Sequence, residues 1–374
     1  MIAHTAIACW PLVRRRSAFG SASADAFGVA AFTPGREPLA SWPGQRLGEP
    51  FGLGERAVIA VVTGAAGFVG STLTGRLLDD GHTVIGIDCL TKAYDVELKT
   101  RNLDRFLGHP NFQLHYSDLA EHSPTGPVRD ADVVFHLAGQ ASVTSSWGGG
   151  FSDYARNNVE ATQRLLEACV GAGLQRFVYA SSSSIYGDAM VMPTPESTMP
   201  RPISPYGVTK LAAEHLCDAY HRQRGLPVTS LRFFTVYGPG QRPDMAFHKL
   251  FRAAYGGDRF QVRGDGSATR DFTFVDDVVD ALILAAGAGW NGALNVGGGH
   301  RVTLLEVLRL VEELTGPLDV EFVPTVAGDA RNTSADVSLA REVLGYQPSV
   351  GLPEGLARMA SWARGLLVPE LSYP

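Results

Sequence analysis

The sequence predicts an α/β protein with a doubly wound parallel sheet and a second, smaller α/β domain. Between residues 57 and 180, short apolar runs rich in β-branched residues alternate with stretches of helical periodicity. This alternation is typical of a parallel sheet whose strands are joined by helices. The first apolar run, at residues 57–62, leads directly into the glycine-rich turn TGAAGFVG. A chain of 374 residues has room for a second domain beyond this sheet.

The glycine-rich turn predicts a phosphate-binding site. A helix is expected from about residue 71 to 80, and Asp88 closes the strand that follows it. In this setting Gly64 permits the tight turn, Gly67 lets the backbone approach a pyrophosphate, and Gly70 lets the helix pack closely on the strand. The helix N-terminus presents free N–H groups and its positive dipole end to the phosphates. The whole unit indicates a Rossmann-type dinucleotide site.

Asp88 bears on the choice of cofactor. A carboxylate at the end of the second strand accepts hydrogen bonds from a ribose 2′-OH and repels a 2′-phosphate. The sequence therefore predicts NAD rather than NADP. The alternative is that Asp88 is a solvated turn acid.

Later strands bring polar and small residues to the same edge of the sheet. Asp118, Gly139 and the serine run 181–184 each follow a predicted strand. Ligands of doubly wound sheets bind beyond the carboxyl ends of the strands, so these residues are expected to line one cleft. The strands concerned are predicted at residues 112–116, 132–137 and 177–180, and a helix is predicted at residues 153–172.

Tyr206 and Lys210 lie four residues apart in a predicted helix. Their side chains therefore share one face and can share one ligand. The charge of the ammonium favours the phenolate, so the tyrosine can act as a base nearer neutral pH. Ser182, from a neighbouring strand end, would complete a three-residue proton-transfer site. Taken alone, this spacing also fits an ordinary amphipathic helix.

Composition argues against several other functions. The net charge is -6 at pH 7 and no basic stripe is present, so nucleic-acid binding is not expected. No apolar run reaches the length of a membrane span. The 4 cysteines show no CxxC spacing and the 10 histidines show no HxxxH or HxH pair, so no metal site is expected. The cysteines, Cys9 among them, are interpreted as reduced thiols of a cytoplasmic protein.

Residues 1–56 differ from the rest of the chain. They are rich in Ala, Gly, Ser, Pro and Arg and show little periodicity. We predict a disordered extension. A transit peptide and a start codon upstream of the true domain are the alternatives.

Six stretches carry recognisable motifs: TGAAGFVG at 63–70, HLAG at 136–139, NV at 158–159, ASSSSIYG at 180–187, SPYGVTK at 204–210 and RDFTFVDD at 270–277. Together they resemble the extended short-chain dehydrogenase/reductase family, in its nucleotide-sugar epimerase and dehydratase branch. The resemblance implies bound NAD(P), a nucleoside-diphosphate sugar substrate (a UDP-sugar is expected) and a homodimer formed through two sheet-flanking helices per subunit. It also implies an NAD-binding domain at residues 57–234, with a return at about 271–297, and a substrate-binding domain at 235–270 and 298–366.

The stretch RFFTVYGPGQRPDMA, at residues 232–246, resembles that of UDP-glucuronate 4-epimerases. UDP-galactose 4-epimerases usually have Asn where this chain has Thr235. Related dehydratases carry an Asp-Glu pair, and decarboxylases Ser-Glu, where this chain has Ser183 and Ser184. The resemblance therefore favours a 4-epimerase of UDP-glucuronate, acting through a transient 4-keto sugar. A UDP-glucose 4-epimerase, a decarboxylase or a dehydratase remain alternatives, with a non-catalytic NAD-binding scaffold as the remote one.

One departure concerns the stretch Ser142-Val143-Thr144. Many glucuronate epimerases read Gly-Val-Arg at this place. A cation near the sugar is therefore expected to be missing, which leaves the uronate substrate open.

The resemblance assigns roles to individual residues. Tyr206 would take the proton of the sugar 4-OH, Lys210 would lower the Tyr206 pKa and hold the nicotinamide ribose, and Ser182 would bind the same sugar oxygen. Arg242 would hold the uronate carboxylate; the alternatives are diphosphate binding or a surface position. Asp329 and Arg331 could instead be turn residues and Arg263 a solvated strand residue, and His136 is expected to be a packed core histidine.

The resemblance also gives two sets of binding residues. The expected cofactor-binding residues are Gly64, Gly67, Phe68, Val69, Gly70, Asp88, Asp118, Leu119, Leu137, Ala138, Gly139, Asn158, Tyr206 and Lys210. The expected substrate-binding residues are Ser182, Ser183, Thr235, Arg242, Gln261, Arg263, Arg270, Asp329 and Arg331.

Overall fold

The computed structural model describes Leu53, residues 56–326 and residues 328–367. The extension predicted at residues 1–56 therefore lies, except for Leu53 and Arg56, outside the described residues, as does Cys9.

The described residues form twelve strands and eleven α-helices. The strands are β1 (Ile59–Thr63), β2 (Thr83–Asp88), β3 (Phe112–Tyr116), β4 (Val133–His136), β5 (Arg176–Ser182), β6 (Val228–Phe233), β7 (Thr235–Tyr237), β8 (Phe260–Arg263), β9 (Thr269–Phe274), β10 (Gly292–Val296), β11 (Arg301–Thr303) and β12 (Val320–Val323). The helices are α1 (Phe68–Asp79), α2 (Val96–Asp104), α3 (Thr125–Val128), α4 (Phe151–Tyr154), α5 (Ala161–Cys169), α6 (Pro205–Arg224), α7 (Ala246–Gly256), α8 (Val275–Gly287), α9 (Leu304–Thr315), α10 (Ser338–Leu344) and α11 (Leu352–Leu367).

A seven-stranded parallel sheet in the order β10-β6-β5-β4-β1-β2-β3 forms the centre of the molecule. The order reverses between β1 and β4, and this reversal is where ligands bind in doubly wound sheets. Leu73 of α1 and Leu282 of α8 are fully buried on one face, and Leu165 of α5 and Cys217 of α6 on the other. The doubly wound fold predicted from the sequence is confirmed.

The smaller part of the molecule contains a three-stranded sheet, β11-β9-β7, and a parallel pair, β12-β8. Its core is packed by α7, α9 and α11 through residues such as Phe251, Val311 and Met359. Helix α9 begins with a capping box, in which Thr303 and Glu306 satisfy each other's backbone N–H groups. The division into two domains at the boundaries given above stays a prediction.

The helix predicted at residues 153–172 is interrupted. A π-helical stretch, Ala155–Glu160, separates α4 from α5. π-Helical insertions in α-helices are frequent at functional sites, and this one carries Asn158. The predicted helix is therefore present over residues 151–169, but its π-helical stretch was not predicted, because hydrophobic spacing alone does not reveal the altered hydrogen-bond pattern.

Two absences hold for the residues described. None of the helices in residues 56–326 and 328–367 combines the length and apolar character that a bilayer crossing needs. The same residues contain no group of three His, Cys, Asp or Glu side chains able to hold a metal ion.

Candidate active site

The carboxyl ends of four sheet strands open into one cavity of about 380 Å³. Gly64 follows β1, Asp88 ends β2, Ala138 follows β4 and Ser182 ends β5, and all four line it. The strand-end rule predicted one cleft from these residues, and the structure brings them together.

The glycine turn after β1 is closely packed. Gly64 has a φ of +71°, and a Cβ atom added to it would lie 2.9 Å from the backbone nitrogen of Ala138. A Cβ atom added to Gly70 would overlap the carbonyl oxygen of Gly64. Both positions therefore require glycine, and the backbone between β1 and α1 is left open toward the cavity.

The first turn of α1 is suited to a pyrophosphate. Gly67 is its N-cap and provides no side-chain cap. The N–H groups of Phe68, Val69 and Gly70 have no acceptor within the helix, and these residues line the cavity. Free donors at a helix N-terminus bind phosphate oxygens, so the residues present fit a dinucleotide.

Asp88 is fixed at the cavity wall. Its carboxylate accepts hydrogen bonds from the backbone N–H groups of Ala66 at 3.0 Å and Leu90 at 2.8 Å. Asp118 also lines the cavity and accepts from the N–H of Ala120 at 2.9 Å. Asp88 thus presents its remaining lone pairs where the sequence expects the ribose hydroxyls.

His136 and Asn158 are buried supports of this wall. The His136 ring shares hydrogen bonds with the hydroxyls of Thr63 and Thr162, each at 2.8 Å. Burial, followed by the charge of Lys210, lowers its pKa to about 3, so His136 is a neutral core residue, as the sequence indicated. Asn158 does not line the cavity; its side chain bonds both backbone groups of Gln140.

Helix α6 brings Tyr206 and Lys210 to the cavity. It begins at Ser204, whose hydroxyl accepts from the N–H of Gly207 at 3.1 Å. A Cβ atom on Gly207 would lie 2.6 Å from the carbonyl oxygen of Ser184. The absence of a side chain there lets the helix approach the serine turn closely, so Tyr206 lies beside Ser182.

Burial and two neighbouring groups act on the pKa of Tyr206. Burial raises its pKa, while hydrogen bonding with Ser182 and the charge of Arg242 act in the opposite direction. The sequence assigned the cationic effect to Lys210. In the structure the Lys210 ammonium lies over the Tyr179 ring, 4.5 Å from its centroid, and the cation acting on the phenol is Arg242.

Arg242 lines the cavity and is held in place by its neighbours. Its Nε donates to Asp244 Oδ1 at 2.9 Å and its Nη2 to Asp244 Oδ2 at 2.6 Å. The Tyr94 ring faces the guanidinium at 5.8 Å. The preceding Gln241 is anchored by its side chain to the N–H of His248 at 2.9 Å. The guanidinium therefore has a fixed position next to Tyr206.

The nine expected substrate-binding residues separate into two groups. Ser182, Ser183, Thr235 and Arg242 line the cavity. The other five lie outside it: Gln261 and Arg263 are exposed on β8, and Arg270 donates to Asp329 at 3.0 Å and to the carbonyl oxygen of Arg331 at 2.8 Å.

Lys99 and Tyr94 also line the cavity, although the sequence did not predict them. Lys99 is buried and donates to the carbonyl and the hydroxyl of Thr91, at 2.8 and 3.0 Å. Its ammonium also lies 4.7 Å from the centroid of the Tyr94 ring. Tyr94 lies in the loop after the carboxyl end of β2, where the strand-end rule that selected Asp88 could have found it, whereas Lys99 lies in α2 and carried no such signal.

The departure at Ser142 has a structural consequence. Ser142 adopts a φ of +99°, in the region that favours glycine. A non-glycine residue there costs about 1–3 kcal/mol in strain. Thr144, two residues later, is exposed and uncharged, so the cation expected from the family pattern is missing from this loop.

Known proteins resemble the chain in sequence. Residues 60–297 match the NAD dependent epimerase/dehydratase family. A Bacillus subtilis protein described as an uncharacterized UDP-glucose epimerase is 41% identical over 314 residues, covering 83% of this chain and 99% of that protein.

Two solved structures are similar in fold as well. UDP-glucuronic acid 4-epimerase from Bacillus cereus, in complex with UDP-glucuronic acid and NAD, has a TM-score of 0.80 and 39% identity, covering 82% of this chain and 99% of that chain. MoeE5, solved with UDP-glucuronic acid and NAD and also with UDP-glucose and NAD, has a TM-score of 0.75 and 43% identity, covering 83% of this chain and 100% of that chain. The resemblance found in the motifs is confirmed, and the chain belongs to the NAD-dependent epimerase/dehydratase family as an enzyme that uses NAD.

Proposed function

We propose that this enzyme is a UDP-sugar 4-epimerase that converts UDP-glucuronate to UDP-galacturonate. The observation that carries the proposal is the convergence of Tyr206, Ser182 and Arg242 on the cavity that also contains the phosphate-binding turn of α1. A base, a hydroxyl and a guanidinium are thereby available beside the expected place of the nicotinamide.

The proposed chemistry begins with a proton transfer at the sugar 4-OH. Tyr206 takes this proton, and Ser182 donates a hydrogen bond to the same sugar oxygen. When bound, NAD supplies the hydride chemistry, accepting the C4 hydrogen and returning it to the opposite face of the sugar. Tyr206 then gives the proton back to the inverted alkoxide, so the two steps balance without an external oxidant.

Ser183 and Ser184 support an epimerase over a dehydratase or a decarboxylase. Both line the cavity directly after Ser182, where the other branches carry acids. A serine hydroxyl is a poor acid or base near neutral pH. The 4-keto sugar is therefore expected to survive until the hydrogen returns to C4.

Arg242 supports the uronate as substrate. A 4-keto uronic acid is a β-keto acid, and it loses CO2 when the carboxylate bond stands perpendicular to the ketone plane. A guanidinium that binds the carboxylate can hold it out of this alignment. Thr235 also lines the cavity and would offer a hydroxyl to the same group. The similarity to the Bacillus cereus enzyme agrees with this assignment.

UDP-glucose is the second candidate substrate, and the Arg242–Asp244 pair favours it. Asp244 offsets the charge of the guanidinium, and Thr144 contributes no cation. A neutral hydroxymethyl group would meet no unpaired charge in such a site. Structures of MoeE5 have been solved with UDP-glucuronic acid and with UDP-glucose, which agrees with a site that accepts either sugar.

The nucleotide part of the substrate and the oligomer are further parts of the proposal. Arg270 would release Asp329 and bind the diphosphate instead. Gln261, Arg263 and Arg331 would lie near the base and ribose. A homodimer through two sheet-flanking helices per subunit is proposed from the family pattern. Val208, 48% exposed on α6, is consistent with such a contact. Light scattering of the purified enzyme measures the oligomeric state.

The test of the proposed function is to incubate the enzyme separately with UDP-glucuronate and with UDP-glucose and to identify the products by NMR. Formation of UDP-galacturonate supports the proposal. Formation of the decarboxylated pentose instead would refute it, and turnover of UDP-glucose alone would refute the carboxylate role of Arg242.

A further inference from the structure

Glu214 is a buried carboxylate on the helix that carries the proton-transfer residues. It lies four residues beyond Lys210, which lies four residues beyond Tyr206. Residues at this spacing share one face of a helix. Glu214 is only 8% exposed, and buried carboxylates are rare unless they are paired. The chemistry proposed above does not use it.

Two buried partners hold this carboxylate. Arg232 of β6 donates to it from Nη2 at 2.6 Å and from Nε at 3.2 Å. Ser181 of β5 donates its hydroxyl to Oε2 at 2.6 Å. Because Ser181 directly precedes Ser182, Glu214 ties helix α6 to the strand end that carries the serine of the site.

Glu214 is the acid that lies one helical turn beyond Lys210, on the same face of α6. Burial lowers the pKa of Lys210 to about 8, while Cys217 and Glu214 act in the opposite direction. Burial raises the pKa of the Cys217 thiol well above its usual value, so this thiol is uncharged near neutral pH. His136 is neutral, and Tyr179 presents the face of its ring. Glu214 is therefore the charged group that favours the ammonium form.

We propose that Glu214 is a positioning residue of the proton-transfer site, which keeps Lys210 in its charged form and fixes the end of β5 that carries Ser182. This inference rests on the proposed function, because the family resemblance gives the charged lysine the task of holding the nicotinamide ribose during that chemistry. Arg232 offsets part of the Glu214 charge from the side of β6, yet the carboxylate remains the nearest anion to Lys210 on its own helix.

The same network offers a matched control. Arg232 Nη1 donates to the Tyr186 hydroxyl at 2.7 Å, and that hydroxyl donates to Asn295 Oδ1 at 2.8 Å. Tyr186→Phe therefore removes a buried hydrogen bond from the network without changing the charge near Lys210. Glu214→Gln keeps the shape of the side chain and removes the charge.

The first test compares the pH profile of turnover for the wild type, Glu214→Gln and Tyr186→Phe. Glu214→Gln is expected to move the alkaline limb to lower pH by about one unit, which is about a tenfold change in the ratio of charged to neutral lysine. Tyr186→Phe is expected to leave the limb where it is. An unmoved limb in a folded Glu214→Gln variant overturns the proposal.

The Glu214→Gln variant leaves Arg232 buried without its anion, which can prevent folding, so a second variant is needed. The double variant Glu214→Gln/Arg232→Met removes both buried charges, and we expect it to fold and to show a limb displaced in the same direction but by less, because the loss of the Arg232 cation favours the ammonium. A folded double variant with the wild-type limb would equally overturn the inference.

The second readout needs no substrate. Lys210 lines the cavity and is 7% exposed, so we expect slow acetylation by acetic anhydride, and mass spectrometry of the peptides reports how the fraction of neutral amine changes with pH. We expect acetylation of Lys210 to begin at lower pH in Glu214→Gln than in the wild type. Identical acetylation profiles would refute this inference, whereas a displaced profile without turnover of any UDP-sugar would refute only the proposed function.

Discussion

Asp244 accepts two hydrogen bonds from Arg242, one from Nε at 2.9 Å and one from Nη2 at 2.6 Å. The Arg242 side chain is 18% exposed and the Asp244 side chain 39% exposed. A guanidinium bound to an internal carboxylate has less charge to offer to a second one. We expect the strength of this pair to set how far the site favours an anionic over a neutral sugar.

Replacement of Asp244 by Asn should therefore improve the binding of UDP-glucuronate. Arg242 would lose a charged partner, so KM for UDP-glucuronate should fall by about 2- to 10-fold, as expected for about 0.5–1.5 kcal/mol. The KM for UDP-glucose should change little. Steady-state kinetics on both substrates measures the two values.

The control for this change is Asp258→Asn. It breaks a similar arginine–aspartate pair, with Arg252, at an exposed place outside the cavity. A fall in KM for both sugars, or a fall in the control, would speak against a charge effect specific to Arg242.

Loss of the Tyr206 hydroxyl should remove the chemistry and spare binding. Tyr206→Phe should lower kcat by about 10²- to 10⁴-fold, the range for loss of a general acid–base group. Tyr220→Phe on the same helix removes a hydroxyl that bonds Glu167 and Gln163 away from the cavity. This control should keep its activity. Unchanged turnover in Tyr206→Phe would refute the mechanism.

The glycine turn can be tested by two substitutions on one helix. Gly70→Ala places a methyl group against the Gly64 carbonyl. It should lower the free energy of unfolding by about 1–3 kcal/mol and reduce the amount of NAD that the purified protein carries. Gly75→Ala meets the Phe106 ring at 3.5 Å and Arg105 Nη2 at 3.6 Å, both ordinary contacts, and should be neutral or stabilising by about 0.5–1 kcal/mol. Denaturant unfolding and the NAD content of the purified proteins measure both effects. Equal NAD content in the two variants would contradict the assignment of this turn.

Activity should decline as the pH rises through about 8. Burial lowers the pKa of Lys210 to about 8, and its ammonium is the form expected to hold the nicotinamide ribose. The ammonium predominates below this pH and is lost above it. His136, with a pKa of about 3, adds no limb near neutrality. A rate that keeps rising well above pH 8 would be inconsistent with a working ammonium at Lys210.

The features that the sequence predicted well are local or follow from sheet geometry. Gly64 and Gly70 belong to a tight turn between adjacent elements, which only glycine can form. Tyr206 and Lys210 are one helical turn apart, so their spacing alone places them on one face. Asp88 and Ser182 follow strands, so the rule for parallel sheets was enough to bring them into one cleft.

Features that depend on packing between distant segments were not predictable. Asn158 matched a family motif, yet its side chain bonds Gln140 within the wall instead of lining the cavity. Gln261 and Arg263 have the right residue types for a nucleotide, but β8 places them in solvent. The pairing of Arg242 with Asp244 depends on side-chain rotamers, which one-dimensional spacing does not specify.

The most direct test of the proposed chemistry follows one hydrogen atom. UDP-glucuronate carrying deuterium at C4 is incubated with the purified enzyme, and the product is examined by NMR and mass spectrometry. Internal removal and return of the hydride predicts UDP-galacturonate with deuterium retained at C4 and no hydrogen taken from solvent at that carbon. Loss of the deuterium to solvent, or release of CO2 in place of inversion, would contradict the mechanism.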